Sequence, residues 1–235
     1  MKSFTNKINI LHLIEGAKQA EGLTVIIDVF RAFSLECYLY DMGVKEIRPI
    51  GTIGDAFELR NRIPDSILVG ERGGKKCEGF DYGNSPSTVV PQAVKRKTII
   101  HTTSAGTQGI VNATGASEII TGSLVNAKAV AQYIRERQPE VVSLVCMGNA
   151  GVRPAAEDEL CAEYIKSILV GSEMPDIESR AAALQYTGGS HFFDKERQEI
   201  YPEDDFWMCV KCNRFPFVIQ MEKDELGFVT RRKDL

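Results

Sequence analysis

Long hydrophobic runs are missing from this sequence of 235 residues, and no stretch approaches the ~20 apolar residues a membrane-spanning helix needs. An excess of one charge is also missing. Lys and Arg number 28 against 32 Asp and Glu, for a formal net charge of -4. That balance excludes the basic surplus of a general nucleic-acid binder, but it leaves room for a local basic pocket. Histidine is scarce, and His12, His101 and His191 are scattered. The short apolar run from Ile8 to Ile14 is broken by His12 and lacks the h-region and cleavage site of a secretory signal. Without secretory context the six cysteines do not form a disulfide framework, and the expectation is a cytoplasmic protein with no membrane partner. Cys37, Cys146 and Cys161 sit in apolar, periodic segments and are expected to be small core residues. Cys209 and Cys212 form a single Cys-x-x-Cys, and a zinc module built on it would need two more ligands at matching spacing.

What is present is an alternation of apolar runs with amphipathic stretches, the pattern of an α/β fold with a three-layer α/β/α architecture. Strands are expected at 23–29, 45–50, 66–69, 98–102, 118–121 and 141–146, with helices at 34–42, 53–62, 106–113 and 126–137. Ile26-Ile27 and Ile99-Ile100, then Ala32 and Ala105, recur at one offset; Gly43 and Gly115 follow with a one-residue slip. The spacing reads as two related β-α-β-α-β units, at about 23–70 and 97–148, within one domain over 1–235. The alternative is the generic likeness of α/β segments to one another. If the strands are parallel, a shared site should lie beyond their carboxyl ends. Strand-like stretches at 206–210 and 215–221 and a frayed, charged end at 231–234 complete the expectation.

Four polar clusters fall at proposed strand ends. Asp28 closes a hydrophobic run, which is costly unless it meets a metal, a positive charge or several donors. Arg31 could pair with it to cap a helix, or fork onto a phosphate or sulfonate. Phe30 stands where a two-aspartate phosphatase nucleophile would need an acid. The stretch 70–87 holds Glu71, Arg72, Lys75, Lys76, Asp81, Asn84 and Ser85 among glycines. It could be a solvated loop, or a site with hard oxygens for a cation and positive groups for an anion. His101, Thr102, Thr103, Ser104, Gly106 and Thr107 form a hydroxyl-rich strand-to-helix turn, which suits either a phosphate cradle or a plain helix cap. His101 reads more readily as a satisfied core histidine than as a catalyst. Glu157-Asp158-Glu159 opens a helix, where acids favour the macrodipole or turn inward to hold Mg²⁺.

Taken in order, Asp28-x-x-Arg31-Ala32, Gly70-Glu71-Arg72, Gly79-Phe80-Asp81-x-Gly83-Asn84-Ser85-Pro86, Thr102-Thr103 with Gly106-Thr107, and Glu157-Asp158 resemble the 2-phosphosulfolactate phosphatase family. The resemblance runs from about Thr24 to Ala162 and is weaker in the tail. It implies a Mg²⁺-dependent phosphatase that converts 2-phospho-3-sulfolactate to 3-sulfolactate and phosphate, a step of coenzyme M biosynthesis. Phe33 and Ala105 depart from the small hydroxyl residue and the Asn of the family pattern. On this reading Asp28, Glu71, Glu157 and Asp158 supply metal ligands. Arg31, Arg72, Lys75 and Lys76 receive the anion with Asn84, Ser85 and the Thr102–Thr107 turn, and Asp81 protonates the leaving oxygen or orients water. A non-catalytic anion-binding protein that keeps the pocket is the second reading. A homo-oligomer is compatible with either.

Overall fold

β-branched runs bounded by turn residues become strands, and the periodic segments between them become helices. The computed structural model describes residues 4, 6–172 and 174–235. The chain runs β1 (Lys7–His12), α1 (Leu13–Lys18), β2 (Gly22–Ile27), α2 (Ala32–Asp41), β3 (Glu46–Pro49), α3 (Ile53–Arg62), β4 (Ile67–Arg72) and β5 (Lys75–Lys76). It continues with α4 (Pro91–Val94), β6 (Thr98–Thr102), α5 (Gly106–Asn112), β7 (Ala116–Gly122), α6 (Ala127–Arg137), β8 (Val141–Cys146) and α7 (Ala156–Val170). Then come α8 (Ile177–Ala183), α9 (Glu203–Cys209), β9 (Phe217–Asp224) and β10 (Gly227–Asp234).

Among the described residues the strands form a 10-stranded sheet in the order β1-β8-β2-β7-β9-β10-β3-β6-β4-β5. β1, β8, β2 and β7 are mutually parallel, as are β3, β6 and β4. The β9–β10 hairpin pairs antiparallel to β7 on one side and β3 on the other, so the two parallel groups run in opposite directions. β2 lies between β8 and β7, and β6 lies between β3 and β4. Each group is thus completed by a strand from the other stretch of sequence.

Alternation along the strands fixes the layers. Leu23, Val25 and Ile27 of β2 pack with Val130 and Ile134 of α6 and Ile165 of α7. Ile26, on the opposite face, packs with Ala17 of α1 and Ile110 of α5. In the other group Ile47 and Ile99 meet Leu35 and Leu39 of α2, while Leu68 and Ile100 meet Ala56 and Leu59 of α3. Helices therefore cover both faces of the sheet. α2 follows β2 but packs in the core of the β3–β6 group, and α5 follows β6 but packs on β2. These two crossings bring the 28–31 and 103–106 turns together. A Cβ added to Gly106 would lie 3.1 Å from Asp28 Oδ2.

The tail differs from expectation in two places. Residues 206–210 fall mainly in helix α9, where Glu203, Asp204 and Asp205 occupy the first turn and Phe206 and Cys209 share the buried face. The charged residues 231–234 are paired in β10, with Arg231 bridging Glu222 and Glu46. Thr230 beside it is buried and its carbonyl accepts the Tyr40 hydroxyl.

Candidate active site

A cavity of about 560 Å³ opens where β2, β4, β6 and β8 end. Its acidic floor comes from Asp28 after β2, Glu71 in β4, and Glu157 and Asp158 in the first turn of α7. All four carboxyl groups are buried. Both oxygens of Asp158 accept backbone N–H bonds, from Val29 at 2.8 Å and Gly148 at 2.7 Å, which ties the ends of β2 and β8 together. Glu71 is held in the same way by Ser104 N and Gly74 N, each at 2.7 Å. Asp28 accepts from Ala32 N at 3.3 Å, and the Gly106 amide also favours its charged form. Glu157 Oε2 is buried without a hydrogen-bond partner among the described residues, and Gly188 leaves it room, since a Cβ there would sit 2.4 Å away.

So many acids in one dry place resist ionisation. Burial, with Glu71 and Glu157 alongside, pushes Asp28 up to about 7 although the Ala32 amide pulls the other way. Burial also raises Glu157, and burial with Asp28 and Glu157 raises Asp158 well above the usual carboxylate range. Asp28 and Glu157 have oxygens left to hold a hard cation; Glu71 and Asp158 already serve the backbone.

The cavity also has a cationic lining. Arg31 is buried, donating Nη1 to Asp205 at 2.7 Å and to Ile200 O at 3.0 Å, and Nη2 to Gly74 O at 3.2 Å. Its guanidinium also lies over the rings of Tyr201 and Phe192. Its charge partner is therefore Asp205 of α9 rather than Asp28. Arg153, Arg197, His191, Phe192 and Tyr201 also belong to the lining. Burial, reinforced by Arg31 and Arg197, lowers His191 to about 4, so the imidazole is uncharged at neutral pH.

Of the residues expected from sequence, the cavity gathers Asp28, Arg31, Glu71, Asn84, Ser104, Glu157 and Asp158, with Gly106 packed beside Asp28. Others lie elsewhere. Asp81 accepts Leu68 N at 2.8 Å and pairs with Arg60 at 2.9 Å, outside the lining. Arg72 turns its guanidinium to the carbonyls of Glu71 and Gly51 and to Thr102 Oγ1, so it braces the turn. Lys75 and Lys76 are exposed on the short β5. Ser85 donates to Asp205 at 2.9 Å, and Thr103 and Thr107 cap one another. Cys209 is a buried core residue and Cys212 is half-buried; both are free thiols.

Sequence reasoning missed Arg153, His191, Arg197, Tyr201 and Asp205. The signal was faint: an Arg-Pro after the Gly-Asn-Ala-Gly turn, and a His-Phe-Phe followed by Lys-x-Arg and Tyr.

Acids and arginines lining one cavity at the strand ends suit a small, multiply charged anion. A family model described as 2-phosphosulpholactate phosphatase matches residues 8–224. Relatives named "Probable 2-phosphosulfolactate phosphatase" include one from Bacillus subtilis (strain 168), 32% identical over 208 residues, 86% of this chain and 88% of the relative. Another, from Caldanaerobacter subterraneus subsp. tengcongensis, is 34% identical over 228 residues, covering 91% and 92%. A third, from Clostridium tetani, is 39% identical over 193 residues, covering 80% and 81%. The class is that of an enzyme, a phosphoric monoester hydrolase. Within that class the chain belongs to the 2-phosphosulfolactate phosphatase family. Among the described residues no helix is long and apolar enough to cross a membrane.

Proposed function

We propose that this chain is a Mg²⁺-dependent phosphatase that hydrolyses 2-phospho-3-sulfolactate, or a closely related small anionic phosphomonoester, to 3-sulfolactate and phosphate. One observation carries the reading: four buried acids, one with an oxygen unpartnered among the described residues, line a single cavity together with Arg31, Arg153 and Arg197. Such a donor set fits Mg²⁺, which takes one or two carboxylates and fills its octahedron with water and phosphate oxygens. Asp28 and Glu157 would hold it, with Glu71 and Asp158 adding charge from behind. Bound there, Mg²⁺ would supply charge neutralisation at the phosphoryl oxygens.

The chain's own residues do the rest. Three arginines match the two anionic groups of a phosphate and a sulfonate, and Arg31 is pre-oriented by Asp205. Neutral His191 offers hydrogen bonding between two of the cations without adding repulsion. Phe192 and Tyr201 wall the cavity and reduce its water content, which strengthens each charged contact. Carboxylate oxygens on the floor accept from the attacking water and orient it at phosphorus. The six free thiols accord with a reducing compartment such as the cytoplasm.

The test is phosphate release by the purified chain from 2-phospho-3-sulfolactate, with Mg²⁺ and then with EDTA. Turnover should require Mg²⁺, and Asp28→Asn or Glu157→Gln should abolish it while the fold survives. No release in Mg²⁺ overturns the reading, and tight sulfolactate binding without turnover would instead mark a non-catalytic binder. Turnover that EDTA leaves intact overturns the metal assignment alone.

A further inference from the structure

Behind the cavity wall two titratable side chains are buried against each other, where unpaired polar groups are expensive. Glu36 of α2 and His101 of β6 are each 0 % exposed, and they meet at 2.9 Å between Oε1 and Nδ1. Glu36 Oε2 has no hydrogen-bond partner among the described residues. A buried Glu–His contact of this kind is weak evidence for stability, because desolvation of its polar groups offsets the attraction and apolar replacements often do as well. Its other end is more informative. His101 Nε2 lies 3.0 Å from Asn84 Oδ1, and an amide oxygen only accepts, so Nε2 carries the proton. That bond turns the Asn84 amide so that its Nδ2 faces away from His101. Asn84 is 4 % exposed and lines the cavity, and its Nδ2 has no hydrogen-bond partner among the described residues.

We propose that Asn84 is an anion-contacting donor of the cavity, and that Glu36 and His101 are positioning residues that hold its NH₂ toward the bound phosphate or sulfonate. The assignment rests on the phosphatase reading for its ligand but not for its geometry. The carboxylate fixes the ring, the ring fixes the amide oxygen, and the amide nitrogen is left for an oxyanion. A freely rotating Asn84 would present its acceptor about as readily, and an acceptor repels an anion. A buried pair that adds little stability thereby determines which end of a side chain the ligand meets.

The test uses the Kd of inorganic phosphate on the full chain by calorimetry, which is readable with or without turnover, so its outcome is separate from that of the substrate assignment. Asn84→Ala should weaken phosphate about tenfold, the worth of one hydrogen bond to a charged group. Glu36→Leu/His101→Leu removes both buried polar partners together, so neither is left unpaired in the core. It should weaken phosphate to a similar extent at an unchanged or higher Tm. Added to Asn84→Ala, the same pair of changes should do nothing more, because its effect passes through Asn84. His101→Gln, whose side-chain NH₂ can reach Asn84 Oδ1, should recover part of the loss. A Leu/Leu variant that binds like the wild type, effects that simply add in the triple variant, or a wild type that does not bind phosphate would each overturn the proposal.

Discussion

Without a cation, the acid cluster should make this protein less stable as pH rises. Asp28 sits near 7 in the folded state against an ordinary value of 3.8. The folded state therefore holds that proton more tightly than the unfolded chain does. The resulting stabilisation is full below about 3.8 and is lost as pH climbs through about 7. The gap corresponds to roughly 4 kcal/mol. Glu157 and Asp158 are raised as well and act in the same direction. Asp28→Asn keeps an acceptor for Ala32 N and removes the charge, so in EDTA at pH 8 it should be more stable than the wild type by up to that amount. For a domain of this size each kcal/mol moves Tm by about 2–4 °C, so the rise should approach 10 °C. Near pH 3.5 the two proteins should melt together. Mg²⁺ should raise the wild-type Tm at pH 8 and have little effect on Asp28→Asn. The assay is a set of thermal melts across pH, in chelator and in Mg²⁺. An Asp28→Asn protein that melts at or below the wild type at pH 8 in chelator would refute the account of the floor.

Three further outcomes follow from the geometry. Asp205→Asn should cost about 3–5 kcal/mol in denaturant unfolding, because it leaves the buried Arg31 guanidinium without its counter-charge; unchanged stability would mean that the pair is not formed. Asp81→Asn should leave kcat and KM within about threefold, since Asp81 meets only Arg60 and a strand amide in a half-exposed pair worth no more than about 1 kcal/mol. A hundredfold loss of kcat would restore it to the chemistry. Arg153→Ala and Arg197→Ala should each raise KM about tenfold while Lys75→Ala and Lys76→Ala change it less than about twofold, and the reverse pattern would move the anion site to β5.

Much of the fold can be read along the chain, because β2, β6 and β8 are β-branched runs bounded by turn residues. The acids of the site can be read for a related reason: a buried carboxylate at a strand end, such as Asp28 after Ile27, stands out against its apolar neighbours. Pairing across the sheet is not legible in this way. Nothing local in β2 says that it will lie between β7 and β8, because strand order is decided by packing between distant segments. Asp205 stayed hidden for the same reason; it neutralises an arginine 174 residues away and sits in a seven-residue helix too short to show a period. The structure sets the lysines of β5 apart from the cavity lining, a placement the sequence does not show because charge in a glycine-rich stretch reads alike whether it faces a ligand or solvent. Residues 231–234 misled because a run of charged side chains reads alike in a frayed end and in a strand paired along β9.

The interleaved strand order also sets a timetable for synthesis. β3, β4 and β6 have all been made by Thr102, so that group can assemble while the rest of the chain is still being translated. β2 is made earlier but both its neighbours come later, β7 ending at Gly122 and β8 at Cys146. At ~5–20 residues per second this bare apolar strand waits roughly 5–20 s for its first partner. For that interval its unpaired edges are open to other nascent chains. The hairpin that joins the groups is made later still, and so are His191, Arg197 and Asp205. A ribosome-bound chain released before α9 would carry the acidic floor of the cavity and Arg31, but not the Asp205 carboxylate that orients that guanidinium.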